Sequence, residues 1–491
     1  MNQIKPKKKL TYFIGCLFIL AFTTCFFYVR AEIRYYSEFS YNLHSDYVYS
    51  FPQSFAVQIK LERDGFNWPK TEKPWDTAIL KIAVRSDWSS ILFKPFIEIN
   101  YRGNISRQYF EKTAKGIRYL NLSRLFKSAQ SLTSGSKITL RGHSVSWEQF
   151  TTELYLFKNV DLSKEKILVI APHPDDAEIA AFGLYDNKDA YIVTITAGED
   201  GKPRFKRFYQ DKKEHAFFQG WIRTWDSITV PFWGGIPPER CINLGYFDGT
   251  LKTMFEKPLE KMVSVAGTSD LRTFRKYNLS DLTPKEASDA KWSNLVDDLS
   301  RILTQINPSV IVTPNPLTDA HPDHQFSTIA LYEALQKTGI TKGALYLYTI
   351  HDSFSSRWPF GHAFSLVSLP PYFSKMPLFD KIYSHHLNEN TFIRKLFALD
   401  DMHGFRSIYF LKLSEYNNLI LTIIQSAYLQ WKTVLQARKY LRFDELFFVS
   451  PMEKAAFLRE EFLKSSFNPL KESNDVDEKS LNVSALKKTE E

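Results

Sequence analysis

Apolar and polar side chains alternate along Phe55–Leu61 and Ala78–Val84, the two-residue period of half-buried strands. Ile91–Tyr101, Lys137–Gly142 and Glu153–Phe157 continue the pattern between clusters of Gly, Ser, Asn and Pro. Residues 32–160 are therefore expected to form a β-sandwich-like accessory domain. Trp68, Trp75, Trp88 and Trp147 are assigned to its core or to a domain interface, where large rings gain most from burial. The other use of four such rings is a sugar-stacking platform.

From Lys164 the pattern changes to strand–loop–helix. Strands are predicted at Lys166–Ile170, Tyr191–Thr196, Asp226–Val230, Val310–Val312 and Ala344–Ile350. Helices are predicted at Glu178–Tyr185, Gln210–Trp221, Trp292–Gln305 and Gln325–Gln336. This alternation implies an α/β domain over residues 164–450, with a mostly parallel sheet covered by helices on both faces. Residues 232–290 read as an irregular insertion, of the kind that borders active sites. Asn417–Leu441 reads as a packed helix, and residues 464–491 as a polar, disordered tail.

Before the first strand lies a different pattern. Leu10–Val29 is twenty residues without a charged side chain, preceded by Lys5, Lys7, Lys8 and Lys9. Twenty helical residues span about 30 Å, the thickness of a bilayer core. A transmembrane anchor is expected at 10–29, with residues 1–9 as a cytoplasmic basic segment and the rest of the chain extracytoplasmic. The competing reading is a cleaved leader ending near Ala31, but the apolar run is long and rich in Phe.

Composition adds little that is specific. The net charge of +9 is not gathered into a nucleic-acid-binding motif, so no nucleic-acid partner is expected. Cys16 and Cys25 fall inside the apolar run, which leaves Cys241 without a partner for a disulfide in the remainder.

The chemistry sits in two short segments. Ala171-Pro172-His173-Pro174-Asp175-Asp176 and His321-Pro322-Asp323-His324 each follow a run of β-branched residues and each open a helix. His and Asp side chains are thus delivered to strand ends, where open α/β sheets bind ligands. Two His and one Asp form the ligand set of a catalytic zinc site that keeps a position for water. Remaining carboxylate and imidazole groups are then available for proton transfer, so the pattern points to metal-assisted hydrolysis.

The same segments resemble the paired signatures of the PIG-L/LmbE-like deacetylases, zinc-dependent enzymes that remove acetyl groups from N-acetylglucosamine units. Thr196-Ala197-Gly198-Glu199 and Leu244-Gly245-Tyr246-Phe247-Asp248-Gly249 match as well. Ala177 stands where many members carry Glu, and Glu178 follows it. The resemblance implies a Rossmann-like fold and one Zn2+ per chain, held by His173, Asp176 and His324. It implies Asp175 as general base and a protonated His321 as stabiliser of the carbonyl oxygen. Asp323 is expected to orient a neighbouring imidazole, Asp248 to meet substrate hydroxyls, and Glu199 to line the pocket. The expected substrate is an N-acetylated amino sugar in a glycan or glycoconjugate. An amide of a small glucosamine-containing conjugate fits less well with an extracytoplasmic domain. A non-catalytic glycan-binding surface protein fits less well with the intact His and Asp set.

Overall fold

The computed structural model describes residues 22–125, 132–201, 209–285, 289–374, 379–404 and 439–467. Helix α1 covers residues 22–36, so the expected anchor at 10–29 lies mostly outside the described residues. Among the described residues no helix is long and apolar enough to cross a membrane. The expected helix at Asn417–Leu441 and the tail beyond residue 467 also lie outside them, except for residues 439–441. A last helix, Ala455–Phe467, occupies the first residues of the expected tail.

Nine strands follow α1: β1 Phe55–Lys60, β2 Gly65–Asn67, β3 Thr77–Ser86, β4 Phe96–Tyr101, β5 Asn104–Tyr109, β6 Lys115–Asn121, β7 Lys137–His143, β8 Val145–Trp147 and β9 Thr151–Phe157. They form two antiparallel sheets, β1-β9-β3-β6 with β8 on β3, and β2-β7-β4-β5. Ile82 and Leu154 of the first sheet share one buried cluster with Ile97, Ile99 and Ile138 of the second. Trp68 is buried there, with Trp75 and Trp147 packed at its margin. Trp88 differs: it lies in a 3-10 turn, Trp88–Ile91, and is 78% exposed. The strand expected from Ile91 therefore starts only at Phe96, because Asp87 caps the turn and Pro95 follows it.

The second unit has a seven-stranded sheet. Its strands are β10 Ile167–Ala171, β11 Ala190–Thr196, β12 Cys241–Tyr246, β13 Val310–Pro314, β14 Ala344–Tyr348, β15 Lys381–His386 and β16 Asp444–Pro451, in spatial order β12-β11-β10-β13-β14-β16-β15. The run from β12 to β14 is parallel, and β16 and β15 close one edge antiparallel. Every residue of β10 and β13 is buried, which is why both read as continuous apolar runs. Leu168, Ile170 and Ile311 face helices α7, Trp292–Ile306, and α8, Pro322–Thr338. Ile167, Val169 and Val312 face α3, Phe182–Tyr185, and α9, Glu389–Asp401. The sheet is covered on both sides. The short helices α2, Asp176–Ala180, and α3 stand where one continuous helix was expected.

One strand was misplaced. Asp226–Val230 is not a strand but the end of α4, Lys212–Thr229, and the turn after it. The burial of His215, Gln219, Thr224, Ser227 and Ile228 keeps a helical period that overrides the β-branched composition, and Pro231 ends the run. The true third strand, β12, lies inside the stretch read as an irregular insertion. Two further short helices follow it, α5 Leu251–Glu256 and α6 Arg272–Arg275.

The two units share a core. Ile79, Tyr119 and Phe157 pack into the same cluster as Ile382 and Phe448. The buried amide of Asn121 donates to the Asp444 carboxylate at 2.7 Å and to the Ser384 hydroxyl at 2.9 Å.

Candidate active site

The chain runs from β10 outward to β11 and β12, then returns to place β13 on the other side of β10. This reversal makes the crevice at the carboxyl ends of β10 and β13 a topological switch point, where open sheets bind ligands. The first motif leaves β10 there, and the second follows β13. His321 caps α8, its Nδ1 accepting the Asp323 amide at 3.2 Å, with Pro322 at the first helical position. Asp175 precedes α2 with φ of 134°, a value L side chains rarely adopt. Such strain collects at functional sites.

Three atoms converge. His173 Nδ1 lies 3.2 Å from Asp176 Oδ2 and 3.3 Å from His324 Nε2, and the latter two atoms are 3.2 Å apart. A near-equilateral triangle of this size is one face of a tetrahedron with ligand bonds of about 2.0–2.1 Å. The remaining nitrogens have carboxylate partners. His324 Nδ1 lies 3.1 Å from Asp319 Oδ2, and His173 Nε2 lies 3.1 Å from Asp248 Oδ1 and 3.3 Å from Asp323 Oδ2. Carboxylates so placed fix which nitrogen carries the proton and which is left for an ion.

His173, Asp248 and Asp323 make a second convergence of donors. It is the poorer one for an ion. Asp323 already accepts the amides of Gly249 at 2.6 Å and Leu251 at 3.1 Å, and His173 Nε2 must donate if Nδ1 is to ligate. The ring of His321 stands 4.8 Å from that of His173 and completes a grouping with His173 and His324.

Electrostatics favour a cation at the triangle. Burial opposes charge on His324, yet Asp176 and Asp319 outweigh it and raise its pKa to about 10. Burial likewise opposes charge on His173, and Asp248 and Asp176 hold its pKa well above the usual value. Asp176 is held well below the usual carboxylate range, against its burial, by His324 and His173. Asp176, Asp319 and Asp323 are all buried around two imidazoles, so the site concentrates negative charge that a dication would balance. The residues present fit a metal.

Beyond the triangle, Arg223 of α4 binds the carbonyls of Gly198 at 2.9 Å and Pro174 at 3.0 Å, and its guanidinium reaches Asp175 at 3.4 Å. Burial, then the charge expected on His173 and His324, lowers the pKa of His321. His321 Nδ1 accepts the Asp323 amide, which leaves Nε2 as the other ring nitrogen. His351 lies beside it, its ring 4.9 Å from that of His324, with its pKa lowered to about 4 by burial and by His324.

Glu199 accepts the Ser264 hydroxyl at 2.7 Å and the Asp248 amide at 3.1 Å. Burial, then the neighbouring Asp248, raises its pKa to about 8. Asp248, expected at substrate hydroxyls, has its Oδ1 3.1 Å from His173 Nε2. Glu178 is not at the triangle: it accepts from Tyr185 Oη at 3.0 Å, and burial raises its pKa to about 8. His403 pairs with Asp226 at 2.6 Å.

Asp319, Arg223 and Ser264 had not been singled out. Asp319 stands in the Asp319-Ala320-His321 run, so its position next to the second motif was the available signal. Arg223 and Ser264 had none, since they reach the site only through packing of α4 and the stretch after β12.

Residues 168–335 match the PIG-L family, described as GlcNAc-PI de-N-acetylase, and form a PIG-L domain. No curated protein matches the chain. Among solved structures, it is similar to N,N'-diacetylchitobiose deacetylase from Pyrococcus horikoshii, with 14% identity, 60% of this chain and 88% of that one covered, and a TM-score of 0.32. It is similar to the conserved protein TT1542 from Thermus thermophilus, with 15% identity, 58% and 94% covered, and a TM-score of 0.27. It is also similar to GalB, the 4-carboxy-2-hydroxymuconate hydratase from Pseudomonas putida, with 12% identity, 58% and 95% covered, and a TM-score of 0.30.

Proposed function

We propose, starting from the PIG-L domain at residues 168–335, that this chain is a membrane-anchored, metal-dependent hydrolase. It removes the N-acetyl group from an N-acetylated amino sugar of the N-acetylglucosamine type in a glycan or glycoconjugate. The observation that carries the reading is the triangle of His173 Nδ1, Asp176 Oδ2 and His324 Nε2, with sides of 3.2–3.3 Å. These residues would hold the dication, one per chain, and zinc suits two imidazoles and a carboxylate. When bound, the ion lowers the pKa of a nucleophilic water and polarises the amide carbonyl.

The chain's own groups do the rest. Asp175, with Arg223 beside it, takes the proton of the attacking water and passes it to the amine nitrogen as the C–N bond breaks. Water and amide thus yield free amine and acetate. The Nε2–H of His321 faces the charge that develops on the carbonyl oxygen, a donor of a kind often worth about 3–4 kcal/mol. Asp319 holds His324, and Asp248 and Asp323 hold His173, so neither ring turns as charge moves.

The anchor reading rests on the uncharged run Leu10–Val29 after four lysines, and on α1, whose residues 22–31 are exposed. The lysines favour a cytoplasmic N-terminus and an extracytoplasmic catalytic domain. Full-length protein in detergent should release acetate from some of a panel of N-acetylated glycans, and lose that activity to a chelator and regain it with zinc. Chelator-insensitive release, or none from any member, would overturn the reading.

A further inference from the structure

Trp88 belongs to a cluster with a common property. In the turn after β3, Trp88, Leu92 and Phe93 are 78, 59 and 66% exposed, and Ile91 is 39% exposed. The backbone that displays them is well held. Asp87 caps the turn through the Ser89 amide at 2.8 Å, the Phe93 amide returns to Ser89 O at 2.8 Å, and the Ser90 hydroxyl accepts the Thr113 amide at 3.3 Å. Four large apolar side chains are thus fixed outward by a built turn, where water penalises them.

Helix α1 stands beside this turn. Tyr28 Oη donates to the carbonyl of Ile91 at 3.3 Å. Phe22, Phe26, Phe27, Val29 and Ile33 are all exposed, and at 100° per residue four of them, Phe22, Phe26, Val29 and Ile33, share one face of the helix. Among the described residues nothing buries that apolar face, and an apolar helix face calls for an apolar surrounding. The end of α1 and the turn after it are tied to the body: Glu32 pairs with Lys112, and Glu38 with Arg357.

We propose that the turn Trp88–Phe93 is a second membrane contact, entering the lipid interface that α1 meets. The proposal rests on the anchor reading above. Its partner is the phospholipid bilayer, because the turn is hydrogen-bonded to a helix that itself leads into the uncharged run Leu10–Val29. A Trp with aliphatic neighbours suits the boundary between headgroups and acyl chains. Two contacts fix the orientation of the enzyme, where a single helix leaves it free to swivel. That orientation reaches the active site by a short path. Phe39 bridges to Ser355 and the Ser40 amide donates to Phe354 O at 2.9 Å, four residues and fewer from His351.

The test uses the full chain with Cys16→Ser and Cys25→Ser, carrying a nitroxide at Leu92→Cys, in phosphatidylcholine nanodiscs; the remaining Cys241 is buried. The label should relax several-fold more with oxygen, which concentrates in lipid, than with a water-soluble nickel chelate. A label as accessible to nickel as to oxygen, in chain that co-purifies with the discs, overturns the second contact and leaves the anchor standing. Exclusion of both reagents means that protein covers the turn, which also overturns the proposal. Chain that does not enter the discs removes anchor and contact together.

Discussion

The Nδ1 atom of His324 lies 3.1 Å from Oδ2 of Asp319, and neither side chain is exposed. The same Asp319 oxygen accepts the amides of Ile350 at 2.9 Å and His351 at 3.1 Å, so a single carboxylate positions the His324 imidazole against the end of β14. The other oxygen accepts the His321 amide at 3.1 Å, so Asp319→Asn sets an NH2 group against at least one of four donors. Its metal affinity is expected to fall about 10- to 100-fold. Competition with a chromophoric chelator measures this, and unchanged affinity would show that His324 needs no support from Asp319.

Asp175 and Asp176 are adjacent, and the proposed mechanism gives them different tasks. Asp176→Ala removes a ligand oxygen, so metal and activity should be lost together. Asp175→Asn keeps the shape and the metal, and turnover should drop by about 10²- to 10⁴-fold, the usual worth of general-base assistance. KM should change little, since the missing interaction belongs to the transition state. Metal content and kcat measured on both variants separate the roles; equal metal loss in both would make Asp175 a ligand as well.

Glu199 gives a pH signature. Its pKa rises from the ordinary 4.5 to about 8 on folding, through burial and the charge of Asp248. A raised pKa means the folded state prefers the protonated acid. This contribution is fully present below about pH 4.5 and is lost as pH climbs to about 8. Glu199→Gln mimics the protonated form and cannot titrate. The stability of the parent relative to this variant should therefore fall across pH 4.5–8, read from urea midpoints at each pH. A parallel pair of profiles would sink the assignment.

Asn121 joins the sandwich to the catalytic sheet. Asn121→Ala leaves the buried Asp444 carboxylate one donor short and is expected to cost about 1–3 kcal/mol. Because the two units share a core, unfolding should stay a single transition in the parent and in the variant. Two separate transitions in the parent would show that the sandwich folds independently.

What the sequence disclosed follows from where information is local. β10 and β13 are buried on both faces, so their apolar runs and the motifs after them were plain. Asp226–Val230 misled because β-branched residues continue a helix whose inward face is set by tertiary packing. β12 was hidden by Asn243 and Gly245, whose polar and flexible characters serve local needs: Asn243 binds Thr196 O and Ser227, and Gly245 takes φ of 71°. The antiparallel edge made by β16 and β15 depends on pairing between distant segments, which no local period encodes. At the site, the motif residues were legible, whereas the positioning groups Asp319 and Arg223 act through partners that only the fold brings near.

The pairing of Ile167 with Val310 and Val169 with Val312 sets the distance between the two motifs by strand register, not by the length of chain between them. The long excursion through β11, α4, β12, α5, α6 and α7 can therefore change in length without altering that spacing. The excursion also supports the motifs, with Arg223 against Asp175 and Asp248 against His173. Ser264, reaching Glu199 from the stretch after β12, ties two parts of the excursion together beside Asp248. Change in the excursion is thus absorbed between these supports, while the strand register keeps the two motifs in place.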